Sequence, residues 1–123
     1  MSRNRMGIAK VIVFVVLAIL VGVSFTLMTQ EEKARSASEA VHKTLQDAIE
    51  AGESPTPEEV HEMVDRTPHE VRNPGKHRIV EEFHWQGPFS EHRVYAYYTT
   101  GATKLLEAVS LNQLMEDWEG DDK

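Results

Sequence analysis

The chain reads as an α+β protein, an N-terminal transmembrane helix followed by two helices packed on a three-stranded antiparallel meander. Three observations predict this. Residues 8–28 form an apolar run interrupted only by Lys10, Gly22, Ser24 and Thr26; as a helix it rises about 30 Å, the hydrocarbon thickness of a bilayer. Beyond it, apolar residues recur every three or four positions, as on one face of a helix. From His77 onward the recurrence drops to two, among β-branched and aromatic residues set between turn signals.

Five segments follow from this pattern: a basic N-terminus over 1–7, the transmembrane helix over 8–28, a juxtamembrane amphipathic helix over 29–52, a small α+β domain over 53–113, and an acidic C-terminal tail over 114–123. The roughly 90 residues after the apolar run suffice for one modest core. Arg3, Arg5 and Lys10 are the only charged residues up to Met28, and all 20 acidic residues follow it, against 10 basic ones. Positive charges flanking a span resist translocation. Arg3, Arg5 and Lys10 are therefore the topology determinants. They predict a single-pass protein of the inner (cytoplasmic) membrane with its N-terminus in the cytoplasm and its acidic domain outside. The run is longer than the apolar core of a cleaved signal peptide, and Ser24-Phe25-Thr26-Leu27-Met28 offers no small-x-small site, so an uncleaved signal anchor fits better. Without cysteine there is neither a lipidation site nor a disulfide framework.

The elements can be justified in order. Residues 30–51 contain good helix formers and no Gly or Pro, with Ala34, Ala37, Val41, Leu45 and Ala48 along one stripe, and Gly52 supplies a C-terminal stop. Nothing between Met28 and Glu32 breaks the chain, so this helix can continue from the span. Thr56-Pro57-Glu58-Glu59 combines an N-cap, a proline suited to the first helical position and a capping-box glutamate, with Val60, Met63 and Val64 as the apolar face and Pro68 as the limit. Thr67-Pro68-His69-Glu70-Val71 reuses that capping chemistry, and Arg72-Asn73-Pro74-Gly75-Lys76 reads as a turn.

Ile79, Phe83 and Trp85 share one face of a first strand that Glu81 interrupts. Gln86-Gly87-Pro88-Phe89-Ser90 turns, residues 94–99 form a second strand, Thr100-Gly101-Ala102-Thr103 turns again, and Leu105, Val109 and Leu111 alternate along a third. Leu114, Met115 and Trp118 at helical spacing suggest a docking turn in the tail.

The order helix, short helix and meander, with Thr56-Pro57-Glu58-Glu59-Val60 leading to Pro68 and then to Phe83-His84-Trp85 and Val94-Tyr95-Ala96-Tyr97-Tyr98, resembles the SmpA/OmlA (BamE-like) small exported domains over about residues 36–111. Asp65-Arg66-Thr67 stands where that family has a glycine turn, and a transmembrane run replaces its lipoprotein cysteine. The family's role in outer-membrane protein assembly is therefore not carried over. The resemblance implies a layered α+β binding module without catalytic residues.

Tests for chemistry return little. His61-Glu62-Met63-Val64-Asp65 resembles a zinc H-E-x-x-H motif with aspartate in the last position and no third ligand at a recognisable spacing, and His84 and His92 are placed to face each other across the first hairpin as a weak two-ligand site. Ordinary solvated histidines are the simpler reading, so no metal and no cofactor are expected. No nucleophile elbow or phosphate-binding glycine loop occurs, and no enzyme activity or small-molecule substrate is expected. A pI near 5.3 argues against nucleic acid. The expected partners are the lipid bilayer and another envelope or membrane protein. Two short helices cannot cover both faces of a sheet, so exposed aromatic rings are anticipated, and Trp85, Tyr95 and Tyr97 are the candidate partner-binding residues. The function expected is thus a membrane-anchored binding or scaffold module, with an accessory subunit of a membrane complex, or a weak metal-binding domain, as alternatives.

Overall fold

The computed structural model describes residues 2–115, with side chains from Gly7 onward. The first helix, α1 (Ser2–Glu50), is unbroken over 49 residues and therefore about 75 Å long. The change at Met28 is one of chemistry and not of backbone. The apolar part has a mean hydropathy of 2.9 over its best window, none of it is buried, and α1 is long and apolar enough to cross a membrane. Beyond position 30 the same helix becomes the cover of the domain, burying Ala34, Ser38, Leu45 and Ala48. Ser38 is fully buried and turns its hydroxyl back to the Arg35 carbonyl at 2.8 Å. Gly52, at φ +81°, ends the helix as expected, with its amide on the Ile49 carbonyl and the Glu53 amide on that of Ala48.

The second helix, α2 (Pro57–Val64), forms as its capping sequence predicts. Thr56 accepts from the Glu59 amide while the Glu59 carboxylate accepts from the Thr56 amide, and Asp65 closes the other end in the left-handed region at φ 59°. Val60 and Val64 are its buried face.

The sheet has four strands, which corrects the expectation of three. They are β1 (Glu70–Gly75), β2 (Arg78–Gln86), β3 (Glu91–Thr100) and β4 (Lys104–Leu111), antiparallel in the order β1-β2-β3-β4. The added strand is the segment read as reused capping followed by a turn. After Pro68 the chain cannot propagate a helix, and Glu70, Val71 and Arg72 pair with Glu82, Glu81 and Val80. Pro74 is tolerated because β1 is an edge strand whose register shifts between Arg72 and Gly75.

A second difference lies in β4. Tyr98 pairs with Leu106 but Tyr97 with Ala108, so a bulge accommodates Glu107, and Leu106 and Val109, three positions apart, both reach the core. Strict alternation from Leu105 therefore fails. The helix-facing core joins Leu45, Val60, Phe83, Trp85, Val94, Ala96, Tyr98, Leu106 and Val109. The opposite face carries a smaller cluster of Val80, Tyr95 and Tyr97 against Ala108, Leu114 and Met115. Leu114 and Met115 thus dock on the sheet, although Asn112, at φ 62°, turns the chain without starting a helix. Trp118 and the rest of the predicted tail lie outside the described residues, as do the side chains of Arg3 and Arg5.

Candidate functional site

Three side-chain constellations stand out, and the first lies where the apolar part of α1 gives way to the domain. Glu31, one turn past Met28, takes hold of the β2–β3 turn. Its carboxylate accepts from the Phe89 amide at 2.9 Å, the Ser90 amide at 3.2 Å and the Ser90 hydroxyl at 2.6 Å, and also from His92 Nε2. The Ser90 hydroxyl, then the Phe89 amide, followed by His92 and the Ser90 amide, hold the Glu31 carboxyl down to about 2 against an opposing desolvation. The turn closes from the Gly87 amide to the Ser90 carbonyl at 2.9 Å. A Cβ at Gly87 would collide with the Glu31 carboxylate and stand 3.1 Å from the Ser90 carbonyl, so only glycine leaves room for this latch.

Because the Glu31 value is depressed, the latch contributes its full stability above the ordinary carboxyl value near 4.5 and loses it as the pH falls towards 2. In micelles, the Phe89 and Ser90 amide resonances are expected to hold their positions from pH 7 down through the ordinary carboxyl range and to move to solvent-like positions only as the pH approaches about 2. Gly87→Ala should displace them at every pH, and unchanged resonances in that variant would show that the latch is not formed.

Beside the latch, Trp85 lines an open cleft with Gln30, Lys33, Ala34, Arg66 and Gln86. The Arg66 guanidinium lies 4.3 Å from the centre of the indole and donates to the His84 carbonyl, a cation–π contact at the rim. Of the rings expected to meet a partner, Trp85 is the one that reaches a cleft, although it is itself buried.

The second constellation is inside the core. Glu81, 6% exposed, accepts from the Tyr98 hydroxyl at 2.8 Å and pairs with His61 Nε2 at 2.8 and 2.9 Å. Burial first, and then the Glu81 charge, pushes the Tyr98 hydroxyl far above its ordinary value. This group ties α2 to the middle of the sheet. It also accounts for His61, the first residue of the apparent zinc motif, whose ring is committed to Glu81 and not to Asp65. Among the described residues, no three His, Asp or Glu side chains are grouped so as to hold a metal ion.

The third is on the outer face. His84 sits between Glu82 at 2.6 Å and Glu91 at 2.5 Å and stacks on His69 with ring centres 3.9 Å apart. The expectation that His84 and His92 face each other is corrected by the register. His84 is opposite Arg93 while His92 is opposite Trp85, so the two imidazoles point to opposite faces, and His92 reaches Glu31 on the helix side.

Tyr95 and Tyr97 do lie on the face opposite Val94, Ala96 and Tyr98, but their expected exposure is corrected: they are 4% and 0% exposed. The Ser110 hydroxyl gives its proton to the Gln113 carbonyl, so the Tyr97 hydroxyl donates to Ser110 at 2.6 Å while accepting from the Met115 amide at 2.8 Å. Burial raises the Tyr95 hydroxyl, with Arg93 acting against the shift. These tyrosines hold the segment after β4 in place. Sequence reasoning missed Glu31 and Glu81. Glu81 had a signal, a carboxylate in the middle of an apolar strand face. The role of Glu31 depends on a contact 58 residues away along the chain.

No family model, curated protein or solved structure matches the chain.

Proposed function

We propose that this is a single-pass protein of the cytoplasmic membrane, with its N-terminus inside, whose α+β domain is held outside and acts as a binding or scaffold module for another envelope protein. The observation that carries the reading is the unbroken α1, in which one rod supplies both an apolar, wholly uncovered stretch and the cover of the domain core. The latch at Glu31 removes the freedom a flexible linker would give, as suits a domain that presents a surface at a fixed height. With Tyr95 and Tyr97 buried, the partner surface of this reading moves to the Trp85–Arg66 cleft beside the membrane end of the domain. Lys10, with Arg3 and Arg5, sets the orientation by resisting translocation.

A second reading, an accessory subunit of a larger membrane complex, is favoured by the groove along α1 lined by Ile19, Gly22, Val23, Thr26 and Leu27, where the side-chain hydrogen of Gly22 leaves open space. Small residues let helices approach closely in lipid. Photo-crosslinking in membranes separates the two. A probe at Gln86 that captures a discrete envelope protein supports the scaffold reading, whereas capture only from position 22 supports the subunit reading. Protection of the domain from protease in intact spheroplasts would refute the assigned orientation.

A further inference from the structure

We propose that the β2–β3 turn is a second membrane contact, with the Phe89 ring seated in the headgroup layer of the bilayer that α1 crosses. This rests on the single-pass reading of α1 and adds a contact which that reading does not require. The first argument is position. The apolar run ends at Met28, and Glu31 stands about 4.5 Å further along the axis, inside the roughly 5–7 Å of headgroup region that flanks the hydrocarbon on each side. Side chains on a helix lean towards its N-terminus, so the Glu31 carboxylate reaches back towards the span. Four hydrogen bonds gather Phe89, Ser90 and His92 around that carboxylate. The turn is therefore fixed at the height of the membrane surface by the same helix that crosses the membrane.

The second argument is exposure. Phe89 is 65% exposed, whereas Phe83, Trp85, Tyr95, Tyr97 and Tyr98 are all buried. Among the described residues beyond position 28 it is the one phenylalanine, tyrosine or tryptophan ring left to the surroundings. Its location is thus particular: this apolar ring lies at the end of the domain nearest the span. The third argument is the chemistry around it. Gly87, Pro88, Phe89 and Ser90 carry no charge, and the nearby Glu31 carboxylate, although ionised, has its oxygens taken up by the donors of the turn and His92. Lys33 and Arg66, both exposed, line the adjacent cleft with Trp85. Aromatic rings flanked by Lys and Arg are what the interfacial layer selects. Contact there would fix the rotation of the domain about α1 as well as its height.

The absence of cysteine permits a direct test. Full-length Phe89→Cys, Ala18→Cys and Ala102→Cys proteins, each carrying an environment-sensitive fluorophore, are reconstituted into phosphatidylcholine–phosphatidylglycerol vesicles. They are then quenched by nitroxides placed at the headgroup or at the mid-acyl level, or by aqueous iodide. The expected result is several-fold stronger quenching by the headgroup nitroxide at position 89 than at position 102, with position 18 quenched by the mid-acyl probe. If position 89 behaves like position 102 while position 18 is quenched from within the lipid, the inference is overturned and the span reading stands. If position 18 is not quenched from the lipid, the span reading fails and the inference with it. Because the label is itself apolar, the unsubstituted protein in nanodiscs supplies a check. The Phe89 amide should be several-fold less relaxed by a soluble gadolinium complex than the Gly101 amide, and equal relaxation would overturn the proposal.

Discussion

Glu81→Ala is expected to destabilise the domain by about 1–3 kcal/mol, the cost of leaving a buried hydrogen-bonding group without its partner. The mechanism is specific. Glu81 receives the Tyr98 hydroxyl and His61 Nε2 in a core otherwise built of aliphatic and aromatic side chains. Without the carboxylate, the Tyr98 hydroxyl, on a residue with no exposed surface, loses its partner and cannot turn to water. Glu81→Gln retains an acceptor of the same shape and should cost distinctly less. Pairing Glu81→Leu with Tyr98→Phe should recover part of the loss, because replacing both partners by apolar groups leaves fewer donors unsatisfied. Urea denaturation of the full chain in micelles reads all three. For a domain of this size, total stability is on the order of 5–15 kcal/mol, so the alanine variant should unfold at a distinctly lower urea midpoint. Equal midpoints for Glu81→Ala and the unsubstituted protein would refute the network's role.

That network also shows how far the sequence could be read. The apolar run, the capping box at Thr56, the stop at Gly52 and the two hairpin turns are local signals, written within a few residues, and the corresponding elements form where those signals stand. The first strand escaped detection for a local reason as well. Thr67-Pro68 has the chemistry of a helix start, and Asn73-Pro74-Gly75 that of a turn, so the intervening Glu70, Val71 and Arg72 offered no alternation of their own. They are a strand only because β2 lies alongside. The exposure of Tyr95 and Tyr97 was misjudged because the cover of the outer face is Leu114 and Met115. Their spacing suggests a docking turn, but nothing local specifies which face of the sheet it covers. Glu31 and Glu81 illustrate the same boundary. Glu31 looks like an ordinary acidic residue, and Glu81 like an interruption of an apolar face, until elements distant in sequence supply their partners, and what the site does depends on those long-range contacts.

Leu45→Ala is expected to cost about 2–5 kcal/mol, the span measured for leucine truncations in protein cores, with the upper part reached where neighbours cannot close the cavity. Leu45 has no exposed surface and packs within the main core. Leu17 is the instructive comparison, since it lies on the same helix, 51% exposed within the apolar stretch. If α1 crosses a bilayer, Leu17 has lipid in place of protein around it, and truncation there should leave the urea midpoint of the domain unchanged while weakening membrane retention only slightly. The two variants thus separate two solvents acting on one continuous helix. On the proposed membrane reading, apolar surface up to Met28 is stabilised by lipid. Beyond it, the stripe that includes Ala34 and Leu45 is stabilised by the sheet face that, among the described residues, α1 and α2 cover. Loss of the domain's cooperative unfolding in Leu45→Ala, with the protein still in the membrane fraction, would show that the anchor survives without the fold. The reverse dependence would show in Leu17→Ala, where a lowered urea midpoint would mean that the apolar stretch packs on protein and that α1 does not serve the two environments separately.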